Sequence, residues 1–328
     1  MTRVARSAKR SLGQNFLVDE NIQRKVVAKV GAGLDDEVIE IGPGSGALTK
    51  HLLGNVRSLI LVELDDVLAD ELKTICDERA NVTVIHGDVL EKPLAKLTPD
   101  PSRALVVGNI PYNITTPIIF HFLARPRPKQ IVLMIQDDVA DRIVAPVGTK
   151  KYGALSIGVR TVAHVERLFK VGRQAFRPVP GVDSAVIRIT PQVPSSMSQF
   201  EEERLRRLVR AAFQWRRKKL RRILRDHGDL GYSHEAMVEA SERAEVSLDD
   251  RPERLTPSQF ISLCAALPET ERPGWRALMP QFPGIVDADD VRQHMGATVR
   301  FHVLAQDFAV ADHGIERSAQ FVAHAGQK

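Results

Sequence analysis

The sequence predicts an α/β protein: a Rossmann-like, doubly wound sheet that becomes mixed at one edge, followed by a smaller all-helical C-terminal domain. Three observations carry this expectation. Short apolar runs alternate with helical patterns at intervals of roughly 20–25 residues, the spacing of parallel strand–helix units. A Pro-rich turn, FRPVPG (176–181), then separates two strand-like segments with no helix between them. Beyond a polar linker, QVPSSMSQ (192–199), apolar residues recur at helical spacing to about Leu267.

Residues 1–14 read as a flexible basic arm. A helix is expected over residues 20–30, with apolar positions 22, 26, 27 and 30, ended by Gly31 and Gly33. Residues 38–41 form a strand that opens into PGSG, and residues 47–53 look helical. Further strands are expected at 59–63, 82–85, 104–107 and 131–135, with helices at 66–75, 117–123 and 139–144. Residues 165–171 and 184–189 complete the sheet as an antiparallel edge. The first domain thus spans 15–192 and the helical domain 199–267. In the latter, Leu205, Leu208, Val209, Ala212 and Phe213 make one stripe, which Leu220, Ile223 and Leu224 continue. Thr256 is an expected N-cap with Pro257 at the first helical position. Residues 268–328 differ in composition, with Pro and Gly at the start and alternating Val299, Phe301 and Val303. They form a C-terminal extension of unassigned role.

Composition narrows the class. At 43% hydrophobic and 27% charged, the 328 residues are those of a globular protein. No apolar run is long enough to span a bilayer, so no membrane partner is expected. The basic start, MTRVARSAKRSLGQNF, lacks the apolar stretch of a secretory signal. Its likeness to a short Arg/Ser-rich transit peptide is set against the motif sequence that begins almost at once. Cys76 and Cys264 match no metal or redox spacing and read as buried thiols of a reducing, cytoplasmic setting. The histidines of the extension are too widely spaced for a metal motif, so no metal is expected. Charge is uneven. Residues 204–225 hold eleven basic residues and no acid; residues 1–30 hold seven basic and two acidic. Against a net +5 for the whole chain, the remainder therefore carries −11. Two basic patches on an acidic body are the footprint of a polyanion partner, nucleic acid before membrane because few aromatics accompany the charge. The competing reading is a solvated amphipathic helix, against which stands the mutual repulsion of cations at helical spacing.

EIGPGSG (40–46) is a glycine-rich turn between a strand and a helix, where backbone approaches a ligand closely and a helix N-terminus offers free N–H groups. Alone it fits a nicotinamide dinucleotide site equally well. Two acids sharpen it. Glu63 ends the second strand, 21 residues after Gly42, where a carboxylate accepts from both ribose hydroxyls. Asp88, in HGDV after the third, is placed to accept from an exocyclic adenine amine. Each alone fits a turn or helix cap; in register they favour an adenosine-containing cofactor. The fourth strand ends in NIPY, Asn109 to Tyr112. An aromatic amine is a poor nucleophile because its lone pair is delocalised into the ring. The Asn109 side-chain carbonyl and the Ile110 backbone carbonyl can accept its hydrogens and localise that lone pair. Pro111 stiffens the turn, and Tyr112 can stack on the base. This constellation argues for methyl transfer to a base amine and against hydride transfer.

NIPY, together with SLGQNFLVD (11–19), EIGPGSGALT (40–49), VELD (62–65), GD (87–88) and FRPVPGVDSAVIRI (176–189), closely resembles the ribosomal RNA adenine N6,N6-dimethyltransferases, nearest to their small-subunit branch. The resemblance runs from about residue 9 to residue 267. It implies a class I methyltransferase fold with S-adenosyl-L-methionine as cofactor. Asn15 and Leu17 would cover the cofactor, Gly42 approach its methionine part, Glu63 hold the ribose and Asp88 the adenine. Asn109 would lie between cofactor and target base, with Tyr112 and Phe176 facing each other across a flipped adenine. The implied substrate is a pair of adjacent adenosines in the 3′-terminal hairpin loop of small-subunit rRNA, probed within an immature subunit by a monomeric enzyme of ribosome maturation. Arg216, Arg217, Lys218 and Lys219 would neutralise phosphates. One departure stands out: QDDVA (136–140) puts Asp137 and Asp138 where the family commonly has Lys-Glu. Rival readings are the large-subunit branch that confers antibiotic resistance, a DNA adenine methyltransferase, and a non-catalytic RNA-binding assembly factor.

Overall fold

The computed structural model describes residues 14–77, 79–192 and 195–269. Of the expected arm at 1–14 all but Gln14, and of the extension at 268–328 all but Pro268 and Glu269, lie outside the described residues. In chain order the strands are β1 (Phe16–Leu17), β2 (Glu37–Ile41), β3 (Ser58–Glu63), β4 (Val82–His86), β5 (Leu105–Asn109), β6 (Gln130–Gln136), β7 (Ala163–Val171), β8 (Phe176–Arg177) and β9 (Ser184–Pro191). The α-helices are α1 (Glu20–Val30), α2 (Thr49–Leu52), α3 (Asp66–Cys76), α4 (Leu94–Leu97), α5 (Thr115–Leu123), α6 (Asp137–Val144), α7 (Ala154–Arg160), α8 (Gln199–Gln214), α9 (Leu220–Asp226), α10 (His234–Arg243) and α11 (Pro257–Ala266).

Seven strands form one sheet in the order β4-β3-β2-β5-β6-β9-β7. The first five are parallel, and β9 runs antiparallel to both β6 and β7. The strands are almost wholly apolar because both faces are covered. Alternation sends Val38, Leu59, Leu61, Val107 and Met134 to the face packed by α1, α2 and α3. Ile39, Ile60, Val106, Leu133 and Ile187 go to the other face, against α5, α6 and α7. From β2 the chain winds outward to β4 and then returns to β5 on the other side. The crevice between the carboxyl ends of β2 and β5 is therefore the topological switch point, where open α/β sheets bind ligands.

Local signals account for the helix ends. Asp19 caps α1, accepting from the Asn21 and Ile22 amides, and Gly31 ends it in the left-handed region at φ 67°. Thr256 and Gln259 cap α11 reciprocally at 3.1 and 3.0 Å. Helices α8 to α11 pack on one another, and their core is continuous with the α5–α7 side of the sheet. At the junction Glu202 of α8, nearly buried, receives Arg127 at 2.5 Å, Arg125 at 2.7 Å and the Ser195 hydroxyl at 2.9 Å. Burial pushes its carboxyl up, but those hydrogen bonds outweigh burial and hold it below the usual carboxylate range. Among the described residues no helix is long and apolar enough to cross a membrane.

The structure departs from the sequence expectation in two places. Helix α7, the antiparallel pair β1–β8 and helix α10 carry no strong periodic signal of their own. The basic stretch is not one helix: α8 stops at Gln214, and residues 215–219 turn before α9. The Lys218 amide closes the turn on the Trp215 carbonyl at 2.7 Å, and the Leu220 and Arg221 amides bond the carbonyls of Asp250 and Leu248. Nor are its charges uncompensated. Asp229 pairs Arg210, Glu253 pairs Arg216, Asp249 pairs both Lys219 and Arg221, and Asp226 pairs Arg222 and Arg225. Acids brought in by the fold relieve a repulsion that sequence spacing alone overstates.

Candidate active site

One open cleft at the switch point gathers the C-terminal ends of β2, β3, β4 and β5, with β1 across it; its space, mouth included, is about 1210 Å³. Asn15, Leu17, Gly42, Glu63, Asp88, Asn109, Pro111 and Tyr112 all line it. The turn after β2 is built for close approach. Gly42 and Gly44 sit at φ 60° and 57°, and a Cβ on Gly44 would lie 3.2 Å from the Phe16 ring. The Gly44 amide donates to Glu63 Oε2 at 2.9 Å, and Glu63 Oε1 takes the Asp65 amide at 2.9 Å. Glu63 is thus locked to the glycine turn from the neighbouring strand. Asp88 is partly buried, with Oδ1 accepting from the Leu90 amide at 2.9 Å.

Asn109 ends β5 with its side-chain amide fixed: Nδ2 donates to the Asn15 main-chain carbonyl at 3.0 Å. The strap carrying Asn15 is held from several sides. β1 pairs β8 in the register Leu17↔Phe176, the Val18 amide donates to the Ala175 carbonyl at 2.8 Å, and Gln14 Nε2 reaches Asp65 at 3.3 Å. Beyond Asn109, the Ile110 amide donates to the Met134 carbonyl at 3.1 Å. The Tyr112 hydroxyl lies 3.0 Å from Ser184 Oγ at the start of β9, and burial pushes its phenol up. Tyr112 is therefore a neutral ring held at its far end, suited to stacking and not to proton abstraction.

Three residues belong to this architecture that the motifs did not single out. Ser184, fully buried, is one. Gly108 is the second: a Cβ there would stand 2.8 Å from the Ile41 carbonyl, so β5 approaches β2 as only glycine permits. Glycine inside an apolar strand was the readable signal. The third is Glu40 in β2, which lines the cleft at 1% exposure and accepts the Thr49 hydroxyl at 2.7 Å. Burial pushes its carboxyl up to about 7. A carboxyl raised in the folded state gives stability that is full below its unfolded pKa and is lost as pH rises through the folded one. Unfolding measured from pH 5 to pH 8 should therefore show stability falling toward pH 7 through this group, and Glu40→Gln should flatten that slope. An unchanged slope would mean that Glu40 is charged throughout.

Two expectations need correction. Phe176 does not face Tyr112 across the cleft: its side chain is 1% exposed, packed with Leu17, Val171 and Ala175 beneath the strap. Pairing of β8 with β1 turns that ring into the core. Arg216 is not free for phosphate. Its guanidinium bonds Glu253 at 3.3 Å and the carbonyls of Lys150 and Thr149 at 3.0 and 3.1 Å. Arg217 and Lys218 are exposed and without ion-pair partners among the described residues, whereas Lys219 pairs Asp249. All four lie outside the cleft. The unusual acids after β6 are neutralised locally. Asp137 meets Arg167 and, at 3.5 Å, Lys170; Asp138 meets Lys151 at 2.9 Å.

A glycine turn at the switch point, ribose-height acid on the next strand and an amide-Pro-Tyr strand end define a class I methyltransferase. The model of the ribosomal RNA adenine dimethylase family matches residues 5–267, and the chain belongs to that family. It is 42% identical over 257 residues to the ribosomal RNA small subunit methyltransferase A of Maridesulfovibrio salexigens, covering 78% of this chain and 94% of that protein. It is 44% identical over 258 residues to the protein of that name from Prosthecochloris aestuarii, covering 78% and 93%. Among solved structures, a dimethyladenosine transferase from Plasmodium falciparum superposes with a TM-score of 0.66 at 27% identity, over 76% of this chain and 95% of that one. The 23S rRNA methyltransferase ErmE gives 0.60 at 27%, over 77% and 99%.

Proposed function

We propose that this protein uses S-adenosylmethionine to dimethylate the amino groups of two adjacent adenosines in the 3′-terminal hairpin loop of small-subunit rRNA. It acts as a monomer on an immature subunit. The observation that carries the reading is Asn109, anchored at Nδ2 by the Asn15 carbonyl at the switch point, one turn from a Tyr112 ring pinned to Ser184. The small-subunit names of relatives at 42–44% identity favour this branch over the large-subunit one.

The cleft fits the cofactor by its donor set. Glu63 offers a carboxylate for a ribose, Asp88 an acceptor for an adenine amine, and the glycine turn lets backbone close on the remainder. Leu17 and Asn15 cover it from the strap. When bound, S-adenosylmethionine supplies a methyl group on a positively charged sulfur. With Nδ2 engaged, Asn109 presents Oδ1 to the incoming amine. Oδ1 and the Ile110 carbonyl accept the two N–H groups and localise the nitrogen lone pair. The same dipoles face the positive charge that develops as nitrogen bonds the incoming methyl group. Tyr112 holds the base plane, and Pro111 limits its drift. No strong general base is required, because the amine's proton becomes acidic only as the bond forms.

Labelled methyl transfer to immature small subunits and, in parallel, to large-subunit rRNA, followed by nucleoside mapping, should give dimethyladenosine at two neighbouring positions of the small-subunit rRNA alone. Label on large-subunit rRNA, or none, would sink the assignment. Phosphate contacts set register on the RNA and not base choice. Replacing Arg217 and Lys218 by Ala should weaken RNA binding and flatten the log–log salt dependence by roughly 1.5. An unchanged slope would make the turn after α8 a solvated surface.

A further inference from the structure

The loop of residues 178–183 joins β8 to β9 and is anchored at both ends to the cleft. At one end β8 pairs with cleft-lining Leu17 of β1; at the other, buried Ser184 holds Tyr112. Its base is stapled further by Asp183. That carboxylate takes the Arg173 amide at 3.0 Å and Lys170 at 2.9 Å, and its carbonyl takes the Asp137 amide at 3.0 Å. Pro178 and Pro180 fix two of its φ angles. On this rigid frame Val179 and Val182 are 44% and 47% exposed. Isolated exposed valines are ordinary surface. Two on one six-residue loop, anchored to the site at both ends and preceded by exposed Arg173 and by Arg177, whose Nη1 donates to the Gln174 and Phe176 carbonyls at 3.0 and 2.7 Å, put apolar surface beside cationic side chains. That combination is complementary to stacked bases between phosphates.

The geometry points to residues 178–183 as a wedge: Val179 and Val182 occupy the place in the RNA loop's base stack that the extruded adenine leaves, while Arg173 faces a flanking phosphate. This rests on the RNA-methylating function proposed above. Extruding a base costs a few kcal/mol of lost stacking, and apolar side chains inserted at the vacated step offset part of that cost.

The test uses the full-length protein, its Val179→Ala/Val182→Ala double variant, and immature small subunits whose rRNA carries 2-aminopurine at one target adenosine. Wild type should raise the fluorescence on binding, as the base leaves its stack. The variant should bind within about threefold of wild type, because phosphate contacts persist. Its fluorescence rise should be mostly lost, and single-turnover methylation of unsubstituted immature subunits should slow by about tenfold. A full fluorescence rise with an unchanged rate would overturn the wedge. So would a loss of affinity that accounts for the whole loss of rate, which would make the loop a plain contact. If wild type neither unstacks nor methylates the RNA, the proposed function itself falls, a result distinct from either.

Discussion

Asn109→Ala should reduce single-turnover methyl transfer by about 100- to 1000-fold, the range seen when one preorganised polar group facing developing charge is removed. Two losses coincide. The Oδ1 acceptor for the amine disappears, and the Nδ2 bond that ties the strap at the Asn15 carbonyl, 3.0 Å long, goes with it. Because the strap is also held by the β1–β8 pair and by Val18 on Ala175, it should stay in place. RNA affinity should therefore change little, and cofactor affinity by less than about tenfold. Asn109→Asp separates the two roles. It keeps acceptor oxygens but sets a carboxylate against the Asn15 carbonyl, so its activity should fall between wild type and Ala. Equal rates for the wild type and the Ala variant would remove the amide from the mechanism.

Glu63→Ala should weaken S-adenosylmethionine binding by about 100-fold or more, measured by titration calorimetry. Two hydrogen bonds from ribose hydroxyls to a charged acceptor contribute on the order of 3 kcal/mol together. The same substitution strips the Gly44 and Asp65 amides of their 2.9 Å partner in a nearly buried setting, which loosens the glycine turn as well. A lowered melting temperature should accompany the loss. Glu63→Gln retains one acceptor oxygen and should lie between the two. Cofactor affinity that survives Glu63→Ala would place the ribose elsewhere in the cleft.

The strand ends, where this chemistry sits, were legible because each follows an apolar run whose period and length are set by neighbouring residues. Glycine at 42, acids at 63 and 88 and the amide at 109 stand in corresponding places after successive strands, and parallel pairing aligns those places at one edge. Register therefore followed from pattern. The helix cap at Thr256 was legible for the same reason, since the cap and its amide are three residues apart.

Elsewhere periodicity misled. The apolar stripe of α8 runs on into α9 in sequence, yet the chain turns at residues 215–219 because Leu248 and Asp250 offer carbonyls to the next amides. Arg216 looked like one more cation and is instead a guanidinium shared by Glu253 and two carbonyls of the loop after α6. The family resemblance, not periodicity, implied Phe176 as a base-stacking ring, and it lies in the core because a two-residue strand pairs it with Leu17. Ser184 stood inside a quoted motif, but nothing in the sequence named its partner, since Tyr112 is 72 positions away.

By itself the sequence determined which backbone segments become strands and helices, which chemical groups stand at the strand ends, and hence the fold class and family. Tertiary structure decided which groups touch: Asn15 with Asn109, Tyr112 with Ser184, Glu202 with Arg125 and Arg127, and Phe176 with the core instead of the cleft. The division is physical. Periodicity and capping are energies of residues a few positions apart, whereas these contacts join segments whose meeting is fixed only once the whole sheet and its covering helices have packed.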